Sequence, residues 1–311
     1  MTLYVEMALT PADRDRIRSI IGGVPVWFAE PKQHTGQDAA AFAEAEVALG
    51  NCPPGWLPSA NRLRWLQLAS AGIDSYLRLD WADLGRRLVV TNLSGAFADP
   101  VAQTCLSGIL ALYRGVDEMA RLTTWAKDEL RPRLRLLTGA TVVILGAGTI
   151  AARLADLLAP FGCKVLHYSR SRGDLRTLAD LDAALPSADV LVGLLPGTAD
   201  TENLLDAGRL ALLPRGAVVV NAGRGTLIDE DALMAALRAG RLGGAVLDVT
   251  RQEPLPPEHP LWTCPNTLLT QHTAGGSDQE VSQTLDVFAD NWRRHRDGVP
   301  LRNIVDWSRG F

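Results

Sequence analysis

The chain has only four cysteines, Cys52, Cys105, Cys163 and Cys264, and no two of them form a C-x-x-C pair. That scatter offers neither the spacing of a zinc site nor a disulfide framework, and it fits reduced thiols in a cytosolic, cytoplasmic protein. No cluster of His, Cys and carboxylates has ligand spacing, so no metal is expected. No apolar stretch is long enough to cross a bilayer. Residues 1–10 carry Glu6 and lack a basic start before an apolar run, so they do not read as a signal peptide. A strong charge of one sign is missing too. Lys and Arg number 31 against 35 Asp and Glu, a net charge of −4, which argues against a broad nucleic-acid footprint. There is no low-complexity tract and no repeat of fixed period.

What is present is the composition of a globular enzyme-sized chain, 47% hydrophobic and 21% charged. Its 311 residues suit two domains with a sizeable core. In the middle of the chain, short runs rich in Val, Leu and Ile fall at 142–145, 164–168, 189–195, 217–221, 245–249 and 267–270. Continuous apolar runs of this length suit parallel strands buried on both faces. Helical patterns lie between them, at 149–161 and at 229–239 before Gly240. This alternation predicts a doubly wound α/β unit. A weaker version precedes it, with strands at 3–7, 24–28, 47–49, 66–69 and 88–91 and a helix at 11–21. Long helices at 100–114 and 278–296 would connect the two, and the tail 300–311 would pack on the first unit. Pro100 suits a first-turn position.

Residues 145–151 follow a strand, open a helix and read L-G-A-G-T-I-A, a G-x-G-x-x-A pattern. Gly146 permits a tight turn, Gly148 lets backbone approach a pyrophosphate, and Ala151 is small enough for helix–sheet packing. The N–H groups at Thr149 and Ile150 and the positive end of the helix dipole would face the phosphates. The next strand ends in H-Y-S-R-S-R, residues 167–172. An NAD enzyme usually has an acid there to accept from the ribose 2′-hydroxyl. Ser169 stands in that place, and Arg170 and Arg172 suit a 2′-phosphate instead. NADP(H) is therefore expected in preference to NAD(H), with NAD(H) still possible.

Three later strand ends carry groups fit for carbonyl chemistry. Arg224 follows the run 217–221. Asp248 and Glu253 follow 245–249. His272 follows 267–270. Open α/β sheets bind ligands at such ends.

Several spaced motifs now resemble one family over nearly the whole chain. After the glycine turn come N-A-G-R-G-T-L-I-D-E-D-A-L (221–233), L-D-V-T-R-Q-E-P-L (247–255), the histidine segment 266–275 and P-L-R-N-I-V-D (300–306). Together they resemble the D-isomer specific 2-hydroxyacid dehydrogenases, and among them the glyoxylate/hydroxypyruvate reductases. The resemblance implies two Rossmann-like or flavodoxin-like α/β domains with a cleft between them. A substrate-binding domain would span 1–98 and be completed by 287–311, and a dinucleotide-binding domain would span 99–286. It implies that Arg224 binds the substrate carboxylate and carbonyl oxygen, that His272 is the acid in reduction and the base in oxidation, and that Glu253 orients the imidazole. It implies that Asp248 holds the nicotinamide carboxamide. Leu195, Pro196, Thr201, Ala222 and Gly275 join the cofactor set. The backbone of Ser70, Ala71 and Gly72 would grip the carboxylate, and N-L-S-G (92–95) would sit near a hinge. The polar stretch 117–135 resembles an arm that packs across a homodimer, with Trp125 reaching the partner's site.

Two positions depart from the family pattern. Gln103 stands where the connecting helix often has Glu, and Gln271 stands where Pro often precedes the histidine. The reading is an NAD(P)H-dependent reductase of a small 2-oxo acid. Alternatives are a dehydrogenase of a phosphorylated or branched 2-hydroxy acid, a hydride-transfer enzyme acting on formate or phosphite, or a nucleotide-sensing corepressor without turnover.

Overall fold

The computed structural model describes residues 1–307; the expected tail packing at 308–311 lies outside them. Two compact units emerge, Met1–Phe97 with the described part of Ser277–Phe311, and Ala98–Gly276. The first holds strands β1 (Leu3–Glu6), β2 (Val26–Ala29), β3 (Val47–Gly50), β4 (Trp65–Gln67) and β5 (Val89–Thr91) in the order β2-β1-β3-β4-β5. The second holds β6 (Thr141–Leu145), β7 (Lys164–Tyr168), β8 (Val190–Gly193), β9 (Val218–Asn221), β10 (Gly244–Leu247) and β11 (Thr267–Leu269) in the order β11-β10-β9-β8-β6-β7. All strand pairs within both sheets are parallel, so each sheet gathers its strand C-termini along one edge. In the second sheet the strand order reverses between β6 and β8. Such a switch point opens a crevice at the strand ends.

Burial explains the apolar runs. Every residue of β3, β8, β9 and β10 is buried, whereas β11 at the sheet edge is only half-buried. Local chemistry sets the helix ends. In Pro11–Ile21, Thr10 and Asp13 form a reciprocal capping box, and Gly22 ends the helix in the left-handed region at φ 63°. Two further helices, Gly36–Glu44 and Leu178–Ala184, start on the same device with Thr35/Asp38 and Thr177/Asp180. Both escape the periodicity reading because they are short; the second buries only Leu181. The connecting helix begins two residues earlier than expected, at Ala98, which keeps Pro100 in its first turn.

The last helix, Glu280–Arg296, belongs wholly to the first unit, so the contact boundary falls at 276/277 and not at 286/287. Its Phe288 stacks on Trp65 with ring centroids 5.5 Å apart, and Trp292 completes the cluster. Arg16 binds Ser282 Oγ at 3.0 Å and Asp286 at 2.6 Å. Buried Asn291 donates to Gln67 Oε1 and accepts from Arg302 N, tying the tail to β4. Val305 N then donates to Val90 O.

In the second unit, helix Ala98–Arg114 lies against β10 through Gly108. A Cβ built there would sit 2.6 Å from Val246 Cγ1. In an open helix interior, Gly→Ala adds about 1 kcal/mol of stability. Here overpacking dominates, and Gly108→Ala is expected to lower the unfolding free energy by about 1–3 kcal/mol. Urea denaturation followed by circular dichroism measures this; a stabilised variant would show that the helix does not approach β10 so closely.

Candidate active site

The dinucleotide turn lies at the β6/β8 switch point. Gly146 has φ 134°, a region closed to most side chains, and its N–H donates to Tyr168 O at 2.9 Å. His167 Nδ1 donates to Gly146 O at 3.2 Å, fixing the turn to the end of β7. Gly148 caps helix Thr149–Leu158 and provides no side-chain oxygen to its first-turn N–H groups. A Cβ at Gly148 would meet no protein atom within 4 Å. Open space before an uncapped helix start, with a buried Ala151 behind it, fits a dinucleotide pyrophosphate.

The end of β7 turns back on itself. Leu175 N donates to His167 O, Ser169 N donates to Leu175 O, and Gly173 N donates to Ser169 O. Arg170 and Arg172 are exposed on this loop. Arg170 Nη1 donates to Asp200 Oδ2 at 2.8 Å. Asp200 is in the loop after β8, which Thr201 shapes. The Thr201 hydroxyl donates to Pro196 O at 2.7 Å and accepts from Thr198 N at 2.9 Å. Thr201 is therefore a buried structural residue of that loop; Leu195 and Pro196 lead into it half-buried.

Asp248 organises the histidine. It is 6% exposed, just beyond β10. Its Oδ1 accepts from Thr270 Oγ1 at 2.6 Å, Thr273 N at 2.9 Å and Ala274 N at 3.0 Å. The Asp248 carbonyl accepts from His272 N at 2.5 Å. Inside this turn Gln271 and His272 both take left-handed backbone, at φ 55° and φ 57°. Proline fixes φ near −65°, so the backbone at Gln271 is closed to the residue that often stands there in related sequences. On the adjoining helix, the Cys105 thiol is pushed up to about 12 by burial, with a further push from the Asp248 charge.

His272 Nδ1 lies 2.6 Å from Glu253 Oε2. Glu253 Oε1 accepts from Thr250 N at 3.0 Å, so both carboxylate oxygens are engaged. This pair borders a cavity of about 380 Å³ lined also by Asp248, Leu255, Trp262 and Gln271. Trp262 was not legible as a site residue, because nothing in its neighbourhood marks it out in one sequence. Arg224 does not line this cavity. It is half-buried after β9, and its Nη1 donates to Gly223 O at 2.7 Å. Gly225 joins the two loops. A Cβ there would fall 2.0 Å from the carbonyl carbon and oxygen of Thr250. The structure thus brings Asp248, Glu253 and His272 together and sets Arg224 at the next strand end. Ala222 is half-buried beside Arg224, and Gly275 is half-buried after the histidine turn. Gln103 is exposed on the connecting helix.

In the first unit, the loop after β4 is held by its carbonyls. Ser70 O accepts from Leu93 N, Ala71 O from Asn92 Nδ2 and Gly72 O from Ser70 Oγ. Ser94 N donates to Asn92 Oδ1, closing the N-L-S-G turn. Among the described residues no group of three or more His, Cys, Asp or Glu could hold a metal ion, and no helix is long and apolar enough to cross a membrane.

These features define the class, an NAD(P)-dependent oxidoreductase on doubly wound α/β units. Residues 106–274 match the family model described as D-isomer specific 2-hydroxyacid dehydrogenase, NAD binding domain. The chain is 32% identical to a glyoxylate/hydroxypyruvate reductase A of Klebsiella pneumoniae, over 92% of this chain and 96% of that one. A D-isomer specific 2-hydroxyacid dehydrogenase from Xanthobacter autotrophicus, solved with NADPH and MES, superposes with a TM-score of 0.81 at 29% identity, covering 100% of this chain and 99% of that one. An NADPH-dependent glyoxylate/hydroxypyruvate reductase from Sinorhizobium meliloti, solved with NADP and malonate, gives 0.78 at 25% identity, with 99% and 97% covered. The chain belongs to the D-isomer specific 2-hydroxyacid dehydrogenase family.

The acceptor role of Asp248 is testable apart from activity. Asp248→Ala strands the donors of Thr270, Thr273 and Ala274 and is expected to cost about 2–4 kcal/mol in urea denaturation. Asp248→Asn keeps an acceptor oxygen and is expected to recover most of that loss. An Ala variant as stable as the parent would remove Asp248 from this role.

Proposed function

We propose that the protein reduces a small 2-oxo acid of the glyoxylate/hydroxypyruvate type to its D-2-hydroxy acid with NADPH. The observation that carries the reading is the 2.6 Å His272–Glu253 contact at a strand end beside the strand that leads to Arg224. A bound nicotinamide dinucleotide supplies the hydride. With Nδ1 engaged by Glu253, His272 has Nε2 for the substrate and donates its proton to the oxygen that becomes the hydroxyl. In the oxidative direction the same atom takes that proton back. Arg224 holds the substrate carboxylate and polarises the carbonyl, a task that suits a planar fork of donors. The backbone of Ser70, Ala71 and Gly72 is read as a carboxylate-binding loop of the first unit, and a loop pinned by its own carbonyls suits that work. Asp248 keeps Oδ2 for the carboxamide while Oδ1 holds the turn. Met1–Phe97 with 277–307 is read as the substrate unit and Ala98–Gly276 as the dinucleotide unit.

Ser169 at the end of β7, with exposed Arg170 and Arg172, supports NADPH over NADH. The Xanthobacter and Sinorhizobium structures, which hold NADPH and NADP, point the same way.

The test is a panel of glyoxylate, hydroxypyruvate, bulkier 2-oxo acids, formate and phosphite, with NADPH and NADH in parallel. The small 2-oxo acids are expected to turn over with NADPH preferred. His272→Ala is expected to lower kcat by about 10²–10⁴-fold. Turnover of none of the 2-oxo acids, or a His272→Ala variant with full activity, would overturn the proposal.

The stretch after the connecting helix supports a homodimer. Its helices Val116–Met119 and Lys127–Leu130 leave Trp125 92% exposed and Leu136 72% exposed. Several exposed apolar side chains along one stretch, with Val116 and Met119 among them, are compatible with an interaction surface. The protein is expected to sediment as a dimer, and Trp125→Ala to raise KM for the 2-oxo acid by several-fold. An unchanged KM would exclude Trp125 from the partner's site.

A further inference from the structure

The Arg170–Asp200 ion pair joins two loops on either side of the glycine turn. Arg170 follows β7 and Asp200 follows β8, and these strands flank β6. Both side chains are well exposed, 72% and 67%, so the pair contributes little to the fold. Asp200 precedes a hydrogen-bonded turn. The Thr201 hydroxyl anchors its turn to Pro196 O, and Thr201 N and Glu202 N both donate to Thr198 O. The neighbouring acid, Glu202, is engaged by Arg251 at 3.2 Å, which leaves Asp200 as the carboxylate that faces the cation after β7.

We infer that Asp200 is a cofactor-specificity residue that competes with the 2′-phosphate for Arg170 and so keeps NADH usable. The inference rests on the reading of Arg170 as a 2′-phosphate ligand. A guanidinium already bound to a carboxylate presents a partly neutralised face. A phosphate brought to it must displace that carboxylate or accept a like charge beside it. NADH carries no phosphate there, and its ribose 2′-hydroxyl can donate to a carboxylate. NAD-dependent enzymes usually place that acid at the end of the second strand. Here Ser169 stands at that position, and an acid reaches the same loop from β8. Asp200 thus disfavours NADPH, whereas Arg170 favours it.

Equilibrium binding of NADPH and NADH, read by quenching of tryptophan fluorescence without substrate, tests this. Asp200→Asn is expected to tighten NADPH by about three- to tenfold and to leave NADH unchanged or weaker. Arg170→Ala is expected to weaken NADPH by about tenfold and leave NADH within about twofold. In the Arg170→Ala background, adding Asp200→Asn is expected to lose most of its effect on NADPH, because the competition is for that guanidinium. If Asp200→Asn leaves the NADPH Kd unchanged while Arg170→Ala weakens it, the inference is overturned and the 2′-phosphate reading stands. If Arg170→Ala also leaves NADPH unchanged, the reading beneath it falls as well. Thermal melts of each variant should match the parent, since the pair is exposed.

Discussion

The candidate chemistry hangs on one carboxylate oxygen. Oδ1 of Asp248 collects a hydroxyl and two backbone N–H groups from the segment that follows β11. Those bonds help to hold two consecutive non-glycine residues in left-handed backbone, each of which costs about 1–2 kcal/mol. The turn they form delivers the imidazole to Glu253, whose other oxygen is tied to Thr250 N. A buried acid thus sets the position of a more exposed acid–imidazole pair. The order of dependence runs from core to surface.

Neighbouring strand ends keep their spacing through glycine contacts. Gly225 meets Thr250 backbone, and a Cβ at Gly197 would stand 3.2 Å from Arg224 Cγ. Such contacts leave no room for side chains, so the Arg224 loop, the Glu253 loop and the loop after β8 hold one another at fixed separation. In the first unit, by contrast, side-chain donors to carbonyls do this work around Ser70–Gly72. Both solutions give a rigid backbone at a strand end.

Much of this was legible in the residues. Strands buried on both faces read directly as apolar runs, and the glycine turn at 146–151 announced itself by falling between a strand and a helix. The residues that hold the site in shape were less visible. Thr270, Thr250 and Asp200 act through single hydrogen bonds to positions some 20–30 residues away or across a turn, and composition carries no trace of such pairings. Thr201 reads as a cofactor residue, and the bonds its hydroxyl makes to Pro196 O and Thr198 N inside its own loop were not legible beside that reading. The short capped helices were missed because a Thr-x-x-Asp start is a weaker signal than an apolar stripe. The boundary before the last helix was misplaced because helical periodicity does not say which sheet a helix covers; the stacking of Phe288 on Trp65 decides that.

That stacking has a consequence for how the chain is made. The second unit is contiguous, 98–276, whereas the first is assembled from both ends of the polypeptide. During vectorial synthesis the dinucleotide sheet can close as soon as it leaves the ribosome. The β1–β5 sheet must wait with Trp65 uncovered until the final helix emerges, and for that interval it is the part of the nascent chain that leaves an aromatic core face open to association.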